Sequence, residues 1–172
     1  PGAMPLFSNE ITATGRDRYN SKEYDARIKV VVGFAEAAPN LICLHNFREL
    51  QYGGDHLDVL EKRLVHYINL EFGREFKDDT SSKNENNYFS RRRFELSFDD
   101  IKAGIVLVLE TNCPPEATRF INASKKSIEN PMITDMANDL LSVEFGEYLE
   151  QNHEAILKIL HKIYKRSNSD SD

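Results

Sequence analysis

The sequence predicts an α+β fold, a two-layer α/β sandwich in which a mixed sheet carries its helices on one face. Three features of the sequence lead to this prediction. Residues 27–34 and 103–111 are rich in aliphatic and β-branched side chains, which is typical of strands in a sheet. An amphipathic helical pattern begins after Asp55, and two more helical patterns occupy residues 131–165. The predicted order is therefore strand, strand, helix, loop, strand, helix, helix.

The first two predicted strands are residues 27–34 and 40–47, with a proline-asparagine turn before the second. Two short apolar runs separated by a turn are typical of a β-hairpin, so we expect these strands to pair with each other. The polar residues 5–26 are expected to be a linker or an incomplete N-terminal element. Residues 1–4 are typical of a remnant left by tag removal, and the polar residues 166–172 are expected to be a disordered tail.

A helix is predicted to follow the pair Gly53-Gly54, which permits unusual backbone angles. Asp55 is placed to cap its N-terminus, and Gly73 is placed to end it. The buried side of this helix is expected to consist of apolar residues at helical spacing, namely Leu57, Leu60, Leu64, Ile68 and Phe72. The polar residues 77–93 that follow are predicted to form a mobile loop.

The second half of the chain predicts one strand and two helices. Residues 103–111 form a nearly continuous apolar run, which indicates a central, buried strand. Asn130 and Pro131 are predicted to be the N-cap and first residue of a helix, because proline suits the first helical position. We expect helices over residues 131–147 and 153–165.

Composition and charge exclude several classes of protein. The chain has 172 residues, of which 40% are hydrophobic and 29% charged, as expected for one globular domain. Its net charge of -6 argues against a surface that is basic throughout, such as a nucleic-acid coat needs. No apolar run approaches the roughly 20 residues that span a bilayer. No secretory signal is visible, so we expect a cytoplasmic protein without a membrane partner.

Neither a metal site nor a familiar catalytic motif is predicted. Cys43 and Cys113 fall in or beside apolar runs and are expected to be buried thiols in a reducing compartment. The five histidines are spread along the chain, and none is paired with cysteine or carboxylate at zinc-ligand spacing. The sequence also has no Walker A loop, Rossmann glycine set or nucleophile elbow.

Two motifs lie at the start of the first predicted helix and before the buried strand. Gly53, Gly54 and His56 form a Gly-Gly-x-His sequence where the helix begins. Residues 100–110 begin with an aspartate, contain a glycine and lead into the apolar run.

Two further motifs follow in the second half of the chain. Residues 123–125, Ala-Ser-Lys, lie in a short polar stretch between a strand-like run and the Asn-Pro helix start. Residues 148–152 have the sequence Tyr-Leu-Glu-Gln-Asn. Together the four motifs, over residues 27–165, resemble in order and spacing the transducer domain of type IIA DNA topoisomerase B subunits, meaning gyrase B and topoisomerase IV B.

The resemblance implies a ribosomal S5 domain 2-like fold that lies after a Bergerat-type ATPase domain in a longer protein. It implies that Lys125 contacts the γ-phosphate of ATP bound in that neighbouring domain, with Ser124 beside it as a second nucleotide contact. The family has a Gln-Thr-Lys motif at this point, so Ala123 and Ser124 replace its glutamine and threonine. ATP is then bound mainly by a domain outside this chain, and Mg²⁺ belongs to the parent only. The isolated chain is not expected to hydrolyse ATP.

The implied function is to couple ATP binding and hydrolysis to conformational change during DNA strand passage. The implied partners are the N-terminal ATPase domain and C-terminal cleavage domain of the parent, the topoisomerase A subunit and duplex DNA. Arg91, Arg92 and Arg93 are candidate contacts to DNA phosphates, which guanidinium groups bind without reading bases. The other interpretation of these arginines is a solvated charge run beside an acidic loop.

Several alternatives stay open from the sequence. Lys126 competes with Lys125 for the nucleotide contact, because a one-residue slip in a loop costs little. His56 is either a structural residue of the first helical turn or a phosphate-facing, pH-sensitive group. The whole chain is alternatively part of a divergent ATPase of the same superfamily, such as a mismatch-repair or phage-defence protein. A third candidate is a non-enzymatic nucleic-acid-binding module.

Overall fold

The computed structural model describes residues 4–36, 40–81, 95–121, 123 and 126–169. Its strands are β1 (Phe7–Arg16), β2 (Glu23–Phe34), β3 (Asn40–His45), β4 (Arg48–Glu49), β5 (Gly53–Gly54), β6 (Ile105–Asn112), β7 (Arg119–Phe120) and β8 (Ser127–Glu129). Its helices are α1 (Asp55–Ser81), α2 (Phe98–Ile101), α3 (Pro131–Leu140), α4 (Val143–Gln151) and α5 (His153–Ser169).

A five-stranded mixed sheet forms one layer of the fold, with the order β1-β2-β6-β3-β4. β2 is antiparallel to both β1 and β6, whereas β3 is parallel to β6. Alternate residues of the central strands are buried against the helices, as Ile28, Val30 and Val32 are in β2. The predicted fold class, a mixed sheet with helices on one face, is confirmed.

Helix α1 supplies the centre of the core. Its predicted apolar stripe is confirmed, because Leu60, Leu64, Ile68 and Phe72 are all fully buried. Each such side chain contributes about 1.5–3 kcal/mol of hydrophobic stabilisation when it leaves water. Cys43 and Cys113 are also buried, as predicted, and both are free thiols. No helix in the described part of the chain is long and apolar enough to cross a membrane.

The predicted hairpin of residues 27–34 and 40–47 is wrong. β6 lies between β2 and β3, and the hairpin partner of β2 is β1. β1 lies within residues 5–26, which are polar and were expected to be a linker or an incomplete N-terminal element. It is an edge strand whose side chains alternate between the helices and solvent, and all of its solvent-facing side chains are polar. β6 is the central strand of the sheet, as predicted, and its residues alternate between buried and partly buried.

Two helices are longer than predicted, and one is divided. α1 continues past Gly73 to Ser81, so residues 77–81 are helical; the rest of the predicted loop lies outside the described residues. Gly73 therefore lies inside the helix and does not end it, and a Cβ there would meet nothing closer than 3.7 Å. α5 continues to Ser169, and part of the expected disordered tail is therefore helical.

The helix predicted over residues 131–147 is interrupted at Leu141 and Ser142, between α3 and α4. The guanidinium of Arg63 in α1 donates to the carbonyl oxygen of Leu141 at 3.1 Å. This bond satisfies a carbonyl that the end of α3 leaves without a helical partner. Arg63 also lies over the Tyr67 ring, 5.2 Å from its centroid, which fixes its orientation.

Candidate functional site

A small second sheet, with the order β5-β8-β7, holds the chain segment that contains the Ala-Ser-Lys motif. β7 and β8 are antiparallel, and residues 121–126 form the β7–β8 connection between them. The backbone N–H of Ile121 donates to the carbonyl of Ser127 at 3.0 Å. This bond closes the base of the β7–β8 connection.

Two of the predicted site residues belong to this connection, and three lie elsewhere in the chain. Ser124 and Lys125 lie outside the described residues, and so do Arg91, Arg92 and Arg93. Ala123, which replaces the family glutamine, is an exposed turn residue. The structure therefore defines the two ends of the β7–β8 connection, at Ile121 and Lys126.

Lys126 is attached to its own domain through Tyr52. Its carbonyl oxygen accepts a hydrogen bond from the Tyr52 backbone N–H at 3.0 Å. Its ammonium group lies 5.7 Å from the centroid of the Tyr52 ring, within the range of a cation–π interaction. Lys126 is also partly buried. These contacts give Lys126 a structural role within its own domain.

The predicted tight entry into α1 is confirmed at Gly53 and Gly54. Both have positive φ angles, 61° and 140°, which side-chain-bearing residues rarely adopt. β5 runs parallel to β8, and a Cβ at Gly54 would lie only 2.2 Å from the carbonyl oxygen of Ile128. Only glycine therefore lets the start of α1 pack this closely against β8.

His56 is a structural residue rather than a phosphate contact. It is 1% exposed, and its Nε2 lies 3.5 Å from the Sγ of Cys43. Burial, with a smaller contribution from His45, lowers the pKa of His56 to about 4. Burial also raises the pKa of Cys43 to about 12. Both groups are therefore neutral at pH 7, so the pair is neither a thiolate nucleophile nor an anion site.

His45 joins the two sheets, a role that the sequence did not predict. Its Nδ1 lies 2.9 Å from Thr111 Oγ1 in β6, and its Nε2 lies 2.9 Å from Thr118 Oγ1, just before β7. His45 is 3% exposed, and burial lowers its pKa. The only sequence signal was the position of a histidine on the inward face of β3. Its partners are 66 and 73 residues away, beyond the reach of local patterns.

Asn130 fixes the other end of the second sheet. Its side-chain oxygen accepts from the Ile133 backbone N–H at 3.1 Å, so the predicted N-cap is confirmed. Its amide nitrogen donates to the hydroxyl of Tyr24 and to the carbonyl of Ala117, both at 3.2 Å. The residue that follows β8 is thereby bonded to the segment that precedes β7.

His153 forms a second unpredicted cluster, between α5 and α1. Its Nδ1 lies 2.7 Å from the carboxylate of Glu71, and its Nε2 lies 3.1 Å from that of Glu75. The hydrogen bond to Glu71 is the main cause that raises the pKa of His153. Within the described residues, no three histidine, cysteine or carboxylate side chains are arranged to hold a metal ion.

Solved structures with the same fold include gyrase B and topoisomerase IV proteins. The ATPase domain of Thermus thermophilus gyrase B has a TM-score of 0.55 at 16% identity and covers 96% of this chain. The gyrase B subunit of Myxococcus xanthus has a TM-score of 0.56 at 12% identity and covers 87%. The topoisomerase IV ATP-binding domain of Francisella tularensis has a TM-score of 0.59 at 16% identity and covers 86%.

The chain spans 39%, 42% and 37% of the length of these three chains, respectively. Identities this low support a shared fold. No curated protein matches the sequence. The family model for DNA gyrase B matches residues 3–172, nearly the whole sequence. The chain therefore belongs to the DNA gyrase B family.

Proposed function

We propose that the chain is the transducer domain of a gyrase B or topoisomerase IV B-like ATPase. It couples ATP binding and hydrolysis in a neighbouring domain to conformational change during DNA strand passage. The observation that carries this proposal is the anchoring of the β7–β8 connection. Hydrogen bonds at Ile121 and Lys126 hold both of its ends, so a contact made by the Ala-Ser-Lys motif is transmitted to a defined sheet.

Lys125 is the proposed γ-phosphate contact. An ammonium group is a compact charge on a flexible stem, which suits a phosphate that is present before hydrolysis and released after it. Because only ATP carries the γ-phosphate, this contact favours one of two domain arrangements until hydrolysis occurs. Ala123 has no amide group, so nucleotide contact from this motif rests on Lys125 and the Ser124 hydroxyl.

The path from the connection to the rest of the domain is short. β8 follows Lys126 directly, and Asn130 then caps α3. α3 packs on α1 and on the first two strands of the main sheet. A displacement of the β7–β8 connection therefore reaches the helical layer without a flexible linker. Helices α3 to α5 are the proposed lever toward the next domain.

The proposed partners follow from the part of the similar structures that this chain does not span. Two of the similar structures are described as ATPase or ATP-binding domains, and this chain spans 37–39% of their length. The ATP site and its Mg²⁺ are therefore assigned to a preceding domain. The topoisomerase A subunit, a cleavage domain and duplex DNA are the other proposed partners, and Arg91, Arg92 and Arg93 are candidate contacts to DNA phosphates.

Substitution of the two lysines in the parent protein tests this function. Lys125→Ala should reduce ATP turnover at least about tenfold, since it removes a charge-assisted contact to the γ-phosphate. Lys126→Ala is the matched control and should retain turnover, because Lys126 contacts Tyr52 in its own domain. Wild-type turnover in both variants would reject the nucleotide assignment.

The replacement of the family glutamine by Ala123 favours one alternative, a divergent ATPase of the same superfamily that does not pass DNA strands. An assay of the parent protein with its A subunit on supercoiled plasmid distinguishes this divergent ATPase from a topoisomerase. ATP-dependent change of linking number supports the topoisomerase function. Lys125-dependent ATP turnover without such a change supports the divergent ATPase.

A further inference from the structure

A continuous series of hydrogen bonds passes through the side chain of His45 and connects the Leu44 carbonyl to the Pro114 carbonyl. Thr111 Oγ1 lies 3.2 Å from the Leu44 carbonyl oxygen and 2.9 Å from His45 Nδ1. On the other side of the ring, Thr118 Oγ1 lies 2.9 Å from His45 Nε2 and 3.2 Å from the Pro114 carbonyl oxygen. The proposed nucleotide contact does not involve any of these groups.

This series of hydrogen bonds has four contacts, but its side chains supply only three protons. Each threonine hydroxyl has one proton to donate, and a neutral imidazole also has one. Both terminal groups are carbonyl oxygens, which only accept. A charged imidazole would supply a fourth proton, but burial of His45 favours its neutral form. One of the four contacts is therefore made without a proton.

In this proposal the contact without a proton is the one between Thr118 Oγ1 and the Pro114 carbonyl. The Pro114 carbonyl already accepts the Ala117 backbone N–H at 2.9 Å, so it does not depend on the Thr118 hydroxyl. Thr118 can therefore donate its proton to His45 Nε2. The ring then carries its own proton on Nδ1 and donates it to Thr111, which donates to Leu44. The Cys113 Sγ, 3.4 Å from Thr118 Oγ1, is placed to donate to that oxygen.

We propose that His45 is a positioning residue for the β7–β8 connection, acting as a neutral imidazole protonated on Nδ1. Through Thr118 it holds the start of β7 to the five-stranded sheet and so fixes the base from which residues 121–126 extend. What the connection does with a nucleotide rests on the proposed function. The positioning of the connection by His45 does not depend on that function.

The second sheet is small, so the hydrogen bond between His45 and Thr118 is important for holding it in place. β7 has two residues and pairs with β8 through two residue pairs, so its own ladder gives little stability. Thr118 immediately precedes it, and the ring of Phe120 meets the His45 ring edge-on with centroids 6.3 Å apart. His45 therefore contacts both the residue before β7 and a residue within it.

Nitrogen NMR of the chain labelled with ¹⁵N-histidine tests the proton assignment. At pH 7 we expect His45 to be neutral, with the proton on Nδ1 and a hydrogen-bonded lone pair on Nε2. Thr118→Val removes the hydroxyl donor and should shift the Nε2 resonance. Thr118→Ser keeps the hydroxyl and should leave this resonance at its wild-type position. A proton on Nε2, or an Nε2 resonance unaffected by Thr118→Val, would overturn the assignment.

Amide hydrogen exchange on the same variants tests the positioning. The Ile121 and Tyr52 amides, which donate to Ser127 and Lys126, report on the second sheet. Thr118→Val should accelerate their exchange roughly tenfold and leave the central amides of β2 and β6 unchanged, since local opening is distinct from global unfolding. Thr118→Ser should restore wild-type exchange.

Two exchange results would reject the positioning role of His45: no acceleration at these amides, or equal acceleration in both sheets. Neither experiment uses a nucleotide. Their failure would leave the Lys125 assignment intact, and failure of the Lys125 substitution would leave the positioning of the β7–β8 connection intact.

Discussion

Gly54 and Ile128 approach so closely that a Cβ at Gly54 would lie 2.2 Å from the Ile128 carbonyl oxygen. This contact joins the start of α1 to β8, the strand that leaves the proposed nucleotide-sensing connection. Gly54 also has a φ of 140°, a conformation that strains any other residue. The close approach therefore depends on the absence of a side chain.

Gly54→Ala should consequently destabilise the domain. We expect a loss of about 3 kcal/mol in the free energy of unfolding, from backbone strain together with the clash at Ile128. Urea unfolding followed by circular dichroism measures this loss. Gly73→Ala is the matched control, since its Cβ meets only ordinary contacts inside α1 and should stabilise the helix by about 1 kcal/mol. Equal effects of the two substitutions would show that the close approach at Gly54 is not required.

The buried His56 predicts a loss of stability in acid. Its pKa is about 4 in the folded chain and 6.5 when exposed, so the unfolded state binds the proton more readily between these values. Stability should be fully present above pH 6.5 and fall as the pH drops toward 4, by about 3 kcal/mol from this group. Unfolding titrations of wild type and His56→Gln measure the difference. A wild-type curve no steeper than that of the variant would refute the prediction.

His153 predicts the opposite dependence of folding stability on pH. Because Glu71 raises its pKa in the folded state, the folded chain holds this proton more tightly than the unfolded chain. Its stabilising contribution should be fully present below pH 6.5 and disappear as the pH rises through the folded pKa. NMR titration of His153 in wild type and Glu71→Gln tests this. The variant should show a lower pKa, and an unchanged pKa would mean that Glu71 is not the cause of the shift.

Asn130 predicts separable effects of two substitutions. Asn130→Ala removes the α3 cap and the two amide bonds to Tyr24 in β2 and to Ala117 before β7, with an expected loss of about 2 kcal/mol. Asn130→Asp keeps a capping oxygen but loses the amide donor to Ala117, so a loss of about 1 kcal/mol is expected. Denaturant unfolding of both variants gives these values. An aspartate variant as destabilised as the alanine variant would show that the cap contributes little.

Features with a local sequence signature were predicted correctly. The apolar stripe of α1 follows from helical spacing, the cap of α3 from an Asn-Pro pair, and the entry into α1 from the two glycines at 53 and 54. Each depends on residues a few positions apart. The family resemblance was carried by motifs of the same kind.

Features that depend on distant pairing were not predicted. The insertion of β6 between β2 and β3 brings together strands far apart in the chain, so the apparent hairpin of neighbouring runs was wrong. β1 was missed because an edge strand with an exposed face has a polar composition. The contacts of His45 and His153 cross 66 to 82 residues, and no local pattern marks them.

The central claim is that the β7–β8 connection responds to the state of a nucleotide in a neighbouring domain. Amide hydrogen exchange of residues 119–129 in the parent protein tests it most directly, with a non-hydrolysable ATP analogue and with ADP. The analogue should slow exchange in this segment, because the γ-phosphate contact orders it, and ADP should not. Lys125→Ala should abolish the difference, whereas Lys126→Ala should preserve it. Identical exchange with the two nucleotides in the wild-type protein would contradict the proposed coupling.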